Sequence, residues 1–265
     1  MFIGMENTEM IANLEKYSYK KVIVADVDET ICETCHVVEE KMAKVIDSLI
    51  AKGFMFAFIS GTEPKYLREM ITSKLRQKHF LLPATGTICL EMDSGQEHSG
   101  QEYYRYMLTD EERKEILMAL RQLTREFSIQ SLTTVEDQIQ DRGTQVVLSA
   151  IGRNAPLDKK KAFDPDASKR KVWIRYLRSI LGDEKYEINY AGTTSIDITK
   201  KGLDKAWGIK KFAEYFSIPL SSILFIGDKT QPGGNDYPAT KVVDFLTVKN
   251  PEDTFRLLSA FDQRL

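Results

Sequence analysis

The sequence predicts an α/β core of parallel strands interrupted by a small α+β insertion. Three observations predict it. Short, continuous apolar runs recur towards both ends of the chain, as expected of strands buried on both faces. Helical periodicity fills the gaps between these runs, and strand, helix, strand in that order is the pattern of βαβ units. The middle of the chain breaks the rhythm with charged amphipathic segments and half-buried strands.

The first strand reads over residues 21–25, Lys-Val-Ile-Val-Ala. A helix follows over 38–49, with apolar residues at 38, 42, 45, 46 and 49, a spacing that lines one helical face. The second strand spans 54–59 and the third 80–82. The polar stretch 91–102 reads as a linker or hairpin. A charged amphipathic helix covers 110–127, a half-buried strand lies in 144–151, a helix covers 167–181, and strand-like residues recur within 186–198. The core resumes with a helix over 203–216 and a fourth strand at 223–226. These readings give a core of 21–97 and 199–265, an insert of 98–198, and an N-terminal extension of 1–20.

The bulk properties exclude several function classes. Apolar residues make up 42 % of the 265, enough for a buried core. The net charge is −2, with no basic excess to attract nucleic acid. No run approaches the ~18 apolar residues of a membrane span. The polar first twenty residues lack the apolar stretch of a secretory signal, so the expected address is the cytoplasm. Cys32, Cys35 and Cys89 cannot all pair, and no disulfide framework is expected. Residues 32–36, Cys-Glu-Thr-Cys-His, match a haem-attachment string and half of a zinc site. A second ligand pair is absent, so the two thiols are read as lying in a loop beside the site.

The chemistry gathers at strand ends. Asp26-Val27-Asp28-Glu29-Thr30 directly follows the first strand, where ligands bind in open α/β sheets. Two carboxylates two residues apart call for a hard cation, and oxygen ligands favour Mg²⁺. Ser60-Gly61-Thr62 ends the second strand, and Pro64 then suits the first turn of a helix. A hydroxyl and free N–H groups there suit an anion. The fourth strand runs into the segment 227–236, Gly-Asp-Lys-Thr-Gln-Pro-Gly-Gly-Asn-Asp, so Asp228 falls where Asp26 falls. Lys205, after Gly202, could balance these carboxylates and hold phosphoryl oxygens. Each feature alone has an ordinary alternative: an acidic turn, a helix cap or a surface lysine.

The set in this order resembles the haloacid dehalogenase superfamily of phosphotransferases, with a Rossmann-like core. The insert resembles the type IIB cap. The Gly227 to Asp236 loop is very similar to that of eukaryotic-type phosphomannomutases. Arg142 and the Ile151-Gly152-Arg153 string match two cap arginines of that family. Residues 192–197, Gly-Thr-Thr-Ser-Ile-Asp, resemble its serine and aspartate contacts to the sugar phosphate, and Asp204-Lys205 its lysine element. The resemblance covers about residues 20–245.

By that resemblance, Asp26 is the nucleophile and Asp28 the general acid/base. Ser60, Gly61 and Lys205 bind phosphate. Asp26, Asp28 through its carbonyl, and Asp228 hold Mg²⁺. Asn235 and Asp236 order that shell. Arg142, Arg153, Ser195 and Asp197 bind substrate. Three departures stand out: Glu29 replaces the usual glycine, Cys35 an arginine, and Lys160 a third cap arginine. Arginine and lysine are not equivalent at a bidentate phosphate site. The expected function is therefore a sugar phosphate phosphatase, with a phosphohexomutase second and a non-catalytic metabolite-binding protein a remote third. The expected partner is a small phosphorylated metabolite, with a homodimer allowed and neither nucleic acid nor membrane.

Overall fold

The computed structural model describes residues 14–17, 19–93 and 100–264. The chain divides into two compact units, one running up to Arg105 and resuming at Leu203, the other being Tyr106–Gly202. The first unit opens with β1 (Val22–Ala25), α1 (Glu40–Ala51), β2 (Met55–Ile59), α2 (Pro64–Ile71), β3 (His79–Leu82), β4 (Ile88–Met92) and β5 (Gln101–Arg105). The second unit contributes α3 (Asp110–Glu126), α4 (Val135–Gln138), β6 (Ile139–Asp141), β7 (Gln145–Ser149), α5 (Leu157–Phe163), α6 (Ser168–Leu181), β8 (Tyr186–Ala191) and β9 (Ser195–Lys200). The chain then returns to the first unit with α7 (Lys205–Tyr215), β10 (Ile223–Gly227), β11 (Asp244–Thr247) and α8 (Pro251–Gln263).

Among the described residues, the first unit is built on a seven-stranded sheet of order β11-β10-β1-β2-β3-β4-β5. The pairings from β11 to β3 are parallel, and β4 and β5 join antiparallel. Alternation along each central strand sends residues to two separate cores. Ile23, Phe56, Phe58 and Leu81 pack with Ile46 of α1 and Leu257 of α8. Val24, Ala57, Ile59 and Phe80 pack with Ile209 and Phe212 of α7. Both faces are covered, so the strands read as unbroken apolar runs.

Three expectations change. A fifth parallel strand, β11, is present that the sequence reading did not find. It is a sheet edge, with Asp244 and Thr247 exposed and only Leu246 of its four residues buried, so it lacks a continuous apolar run. β5 belongs to the core sheet through its pairing with β4, whereas residues from 98 onward were assigned to the insert. The stretch 91–102 is thus a hairpin arm on either side of residues 94–99, which lie outside the described residues. The extension also reaches into the core: Leu14 is buried in it. Lys20 is buried and bonds Asp244 Oδ2 and the Ser221 carbonyl, both at 2.5 Å. Residues 1–13 of the extension lie outside the described residues.

The second unit has its own core. A four-stranded antiparallel sheet, order β6-β7-β9-β8, packs Val146, Leu148, Ile188, Ile196 and Ile198 against Ile116 and Leu120 of α3 and Trp173, Ile174 and Leu177 of α6. Helix α6 starts at Ser168, one residue later than its periodicity suggests, because Ala167 takes φ +58°. Inside this unit Arg170 Nε pairs with buried Asp164 at 2.8 Å. Burial alone would raise the Asp164 carboxyl, but the Arg170 side chain and the N–H groups of Lys169 and Arg170 hold it below the usual carboxylate range. Arg170 Nη1 also bonds the Gly192 carbonyl at 2.8 Å, fastening the β8–β9 turn to α6.

His79, fully buried on β3, gives the core unit a pH dependence. Its Nδ1 faces the Gln77 carbonyl at 2.9 Å and its Nε2 the Thr72 hydroxyl at 3.0 Å. A carbonyl only accepts, so Nδ1 carries the proton and Nε2 accepts from Thr72. Burial holds the ring's pKa below the ordinary histidine value. The unfolded chain therefore binds a proton that the folded one refuses. Stability contributed by neutral His79 is present above the unfolded pKa of about 6.5 and is lost as pH falls below it. Urea unfolding midpoints of wild type and His79→Gln, compared at pH 7.5 and pH 5, should converge at the lower pH.

Candidate active site

Strands β10, β1 and β2 lie side by side and parallel, so their carboxyl ends open on one edge of the sheet. Each ends in a residue singled out above: Asp26 after β1, Ser60 after β2 and Asp228 after β10. A cleft of about 300 Å³ lies there, lined by Asp26, Asp28, Thr34, Ser60, Gly61, Thr62, Lys229 and Asn235. Lys205 and Asp236, both essentially inaccessible, support it from below.

Lys205 holds this floor together. Its Nζ bonds Asp26 Oδ1 and Asp236 Oδ1. Asp204 caps the start of α7 by accepting from the Trp207 N–H at 2.9 Å, so Lys205 leaves the first turn from a fixed base. Burial alone would lower the Lys205 pKa, but the two carboxylates outweigh it and hold the ammonium above its ordinary value. Burial pushes the Asp26 carboxyl up; Lys205 opposes that rise and the charge of Asp236 adds to it. The Thr30 hydroxyl donates to Asp26 Oδ2 at 3.2 Å.

Small residues make the approach possible. A Cβ on Gly208 would stand 2.2 Å from the Thr85 carbonyl, so glycine lets α7 lie against the turn at 84–86. Thr85 then donates through Oγ1 to the Leu203 carbonyl at 2.8 Å and through its N–H to the Ser60 carbonyl at 2.8 Å. One residue thus ties the end of β2 to the lead-in of α7. A Cβ on Gly227 would stand 2.5 Å from Asp236 Oδ2, the oxygen that accepts from the Lys229 N–H at 3.0 Å.

The acidic residues divide into roles. Oxygens of Asp26, Asp228 and Asp236 lie within 4.8 Å of one another, a cluster able to hold a metal ion. Both Asp236 oxygens are already engaged, by Lys205 and by the Lys229 N–H. Asp228 Oδ1 is buried and accepts no hydrogen bond, a costly state unless a ligand completes it. Hard oxygen donors around an orphaned carboxylate oxygen fit a divalent cation such as Mg²⁺. The Asp28 side chain, assigned by resemblance to acid/base work and not to the metal, is outside this cluster. Its Oδ1 instead accepts from the Cys35 N–H at 3.0 Å.

A sequence profile of haloacid dehalogenase-like hydrolases matches residues 23–245, which take in both strand-end aspartates, Lys205 and the whole insert. The chain belongs to this family. As a haloacid dehalogenase-like hydrolase with phosphomannomutase relatives it is an enzyme, a phosphatase or a phosphomutase. It is 26 % identical over 252 residues to a phosphomannomutase of Encephalitozoon cuniculi, covering 89 % of this chain and 91 % of that one. It is 24 % identical over 259 residues to the phosphomannomutase of Saccharomyces cerevisiae, covering 93 % and 98 %. Among solved structures, an N-terminally truncated IMP-nucleotidase of Plasmodium falciparum shares the fold with a TM-score of 0.62 at 17 % identity, over 96 % of this chain and 73 % of that one. A haloacid dehalogenase-like hydrolase from Bacteroides thetaiotaomicron matches with a TM-score of 0.62 at 15 % identity, over 93 % and 100 %.

The structure of this haloacid dehalogenase-like enzyme brings Asp26, Asp28, Ser60, Gly61 and Asn235 to one cleft. Thr62, part of the strand-end motif, lines it as well, as do Thr34 and Lys229, which were given no role from the sequence. Lys229 had a signal, since it lies inside the acidic loop; Thr34 had none, because a turn folds it back. In the insert, Ser195 stands opposite Ser149, and Asp197 opposite Val147 and Asn189. Ser195 and Asp197 alternate with buried Ile196 and Ile198, so they share the sheet face turned away from α3 and α6. Ser149 Oγ and Ser195 Oγ lie 3.2 Å apart on that face. Arg142 follows β6 and its Nη2 bonds Gln140 Oε1 at 2.8 Å. Arg153 follows the bend at Gly152, which takes φ +98°, and its N–H bonds the Asp137 carbonyl at 3.0 Å.

Removing the central ammonium should be costly. Lys205→Met leaves two buried carboxylates without their cation, and breaking a buried pair this way costs about 3–5 kcal/mol. Urea unfolding should show a loss of that size. The double variant Lys205→Met/Asp236→Asn should lose less than the sum of the two single changes, because they share one interaction.

Proposed function

We propose that the protein is a Mg²⁺-dependent phosphatase of small phosphorylated metabolites, sugar phosphates in the first place, working through an aspartyl-phosphate on Asp26. The observation that carries this reading is the Asp26 carboxylate at the end of β1, held by Lys205 on the floor of a cleft that Asp28 also lines. The phosphorus–oxygen bond to the leaving group breaks as the Asp26 carboxylate bonds phosphorus, and Asp28 protonates the departing oxygen. Asp28 then takes a proton from the water that attacks the acyl phosphate, which frees Asp26 and inorganic phosphate. Ser60 and the N–H groups of the 60–62 segment suit the phosphoryl oxygens. Asp26, Asp228 and the Asp28 carbonyl are the groups we assign to Mg²⁺. When bound, the ion supplies the positive charge that lets an anionic carboxylate approach a phosphate dianion.

A mutase is the second reading, favoured by the phosphomannomutase relatives across most of the chain. The phosphatase is preferred because two cap and loop arginines of that pattern are Cys35 and Lys160 here. The Lys160 ammonium is moreover engaged by the Arg153 carbonyl. Ser195 and Asp197, with Arg142 and Arg153, are the insert groups we assign to substrate hydroxyls and a second anionic group.

Asp26→Asn should lower turnover of an aryl phosphate by several powers of ten with the fold intact. Exhaustive chelation of the wild type should do the same and added Mg²⁺ should restore it. Retention of more than about a tenth of the rate in Asp26→Asn would reject the nucleophile, since that loss is only ~1.4 kcal/mol of barrier. A panel of sugar phosphates assayed with and without a hexose bisphosphate separates the two readings. Phosphate release without isomer formation is expected.

The insert groups are tested separately. Arg153→Ala should raise KM for a sugar phosphate by roughly tenfold or more, the scale of a charge-assisted hydrogen bond worth ~1.5–3 kcal/mol. Turnover of a small aryl phosphate should change little. Equal loss on both substrates would assign Arg153 to the fold instead.

A further inference from the structure

Asp28 lines the cleft on a short side chain that is partly open to solvent. A group that must donate a proton in one step and accept one in the next has to be held in place for both. The bond that holds it comes from the Cys35 N–H, seven residues along, at 3.0 Å. That donor lies in the loop that follows β1, so the position of Asp28 depends on what fixes the loop.

Glu29 fixes it. Its Oε1 accepts from both the N–H of Thr34, at 3.0 Å, and the Thr34 hydroxyl, at 2.6 Å. Thr34 and Cys35 share a peptide unit, so clamping Thr34 sets where the Cys35 N–H points. The Glu29 N–H donates to the Cys32 carbonyl at 2.8 Å, and Asp28 and Cys32 form an isolated bridge. The loop closes on itself as a ring of short bonds around Asp28. Its backbone is strained at both ends of the clamp: Glu29 has φ +60° and Cys35 φ +61°. A side chain disfavours this region and glycine adopts it freely. A glycine at 29 would ease the backbone and lose the carboxylate that holds Thr34.

We infer that Glu29 is a positioning residue that, through Thr34, sets the Cys35 N–H against the Asp28 carboxylate. The inference rests on the proposed role of Asp28 as acid and base. An aryl phosphate makes the two steps separable. A phenolate leaves with little help from an acid, so Asp26 is still phosphorylated when Asp28 is misplaced. Attack of water on the aspartyl-phosphate still needs Asp28 to take the proton, so that step slows and the phosphoenzyme accumulates.

The experiment follows p-nitrophenyl phosphate turnover and the acid-quenched phosphoenzyme in the Mg²⁺-loaded full chain. Glu29→Ala and Glu29→Gly should lower kcat by about 10–100-fold, the scale of a catalytic group displaced by about an ångström. KM should stay within about twofold and the phosphoenzyme fraction should rise. Glu29→Gln keeps an acceptor for Thr34 and should return to within about threefold of wild type. Thr34→Ala keeps the N–H, loses the hydroxyl and should fall between, which gives a readout even if Glu29→Ala folds poorly. Wild-type kcat in Glu29→Ala and Glu29→Gly would overturn the inference. So would a fall in kcat without phosphoenzyme accumulation, or Glu29→Gln falling as far as Glu29→Ala. Asp28→Asn, run alongside, isolates the underlying reading. If it accumulates no phosphoenzyme, the role of Asp28 falls and the positioning role falls with it; if it does and Glu29→Ala does not, only the positioning role falls.

Discussion

The ammonium of Lys205, buried between the carboxylates of Asp26 and Asp236, is the constraint on which the rest of the core unit's active edge depends. A charge taken out of water is tolerable only when it is paired and hydrogen-bonded. The three partners come from distant parts of the chain, with separations of 179 residues to Asp26 and 31 to Asp236. Satisfying Lys205 therefore requires the end of β1, the loop after β10 and the first turn of α7 to meet. Gly208 and Gly227 are consequences of that meeting, since a Cβ at either would strike Thr85 or Asp236.

The same cluster carries the charge balance of the cleft. Asp26, Asp228 and Asp236 bring three carboxylates to one place, and Lys205 neutralises part of that charge. Asp236 spends both oxygens on Lys205 and the Lys229 N–H, so it orders the others. Asp228 keeps one buried oxygen without a hydrogen bond while its other oxygen pairs with Lys229, which leaves a hard oxygen donor of the kind that suits a divalent cation. Stability and chemistry draw on one set of charges. The pairs that hold the floor also set the Lys205 ammonium against Asp26, a positive charge of the kind that eases the approach of two anions.

The insert is organised by a different constraint. Its sheet buries Val146, Leu148, Ile196 and Ile198 under α3 and α6. Period-two alternation then leaves Ser149, Ser195 and Asp197 on the opposite face. The Arg170–Asp164 pair and the Arg170 bond to the Gly192 carbonyl hold the turn that leads into Ser195. Polar residues that looked unrelated in the sequence, at 149 and at 195, become neighbours through strand register.

The sequence by itself determined what depends on short range. Apolar runs marked β1, β2, β3 and β10, because strands covered on both faces have no polar side to show. The residue after three of these four strands was already legible as chemistry: Asp26 after β1, Ser60 after β2 and Asp228 after β10. Periodicity marked α1, α3, α6 and α7 for the same local reason. Only the tertiary structure decided the rest. β11 escaped because an edge strand is half solvated and its four residues carry no pattern. β5 joined the core sheet through pairing that no composition shift announces. The clamp of Glu29 on Thr34, the place of Lys229 in the cleft, and the entry of Asp236 into the acidic cluster all depend on where loops fold back. Hydrophobic pattern is read within a few residues of itself. Hydrogen bonds between loops are set by the whole chain's closure, and that closure appears only in three dimensions.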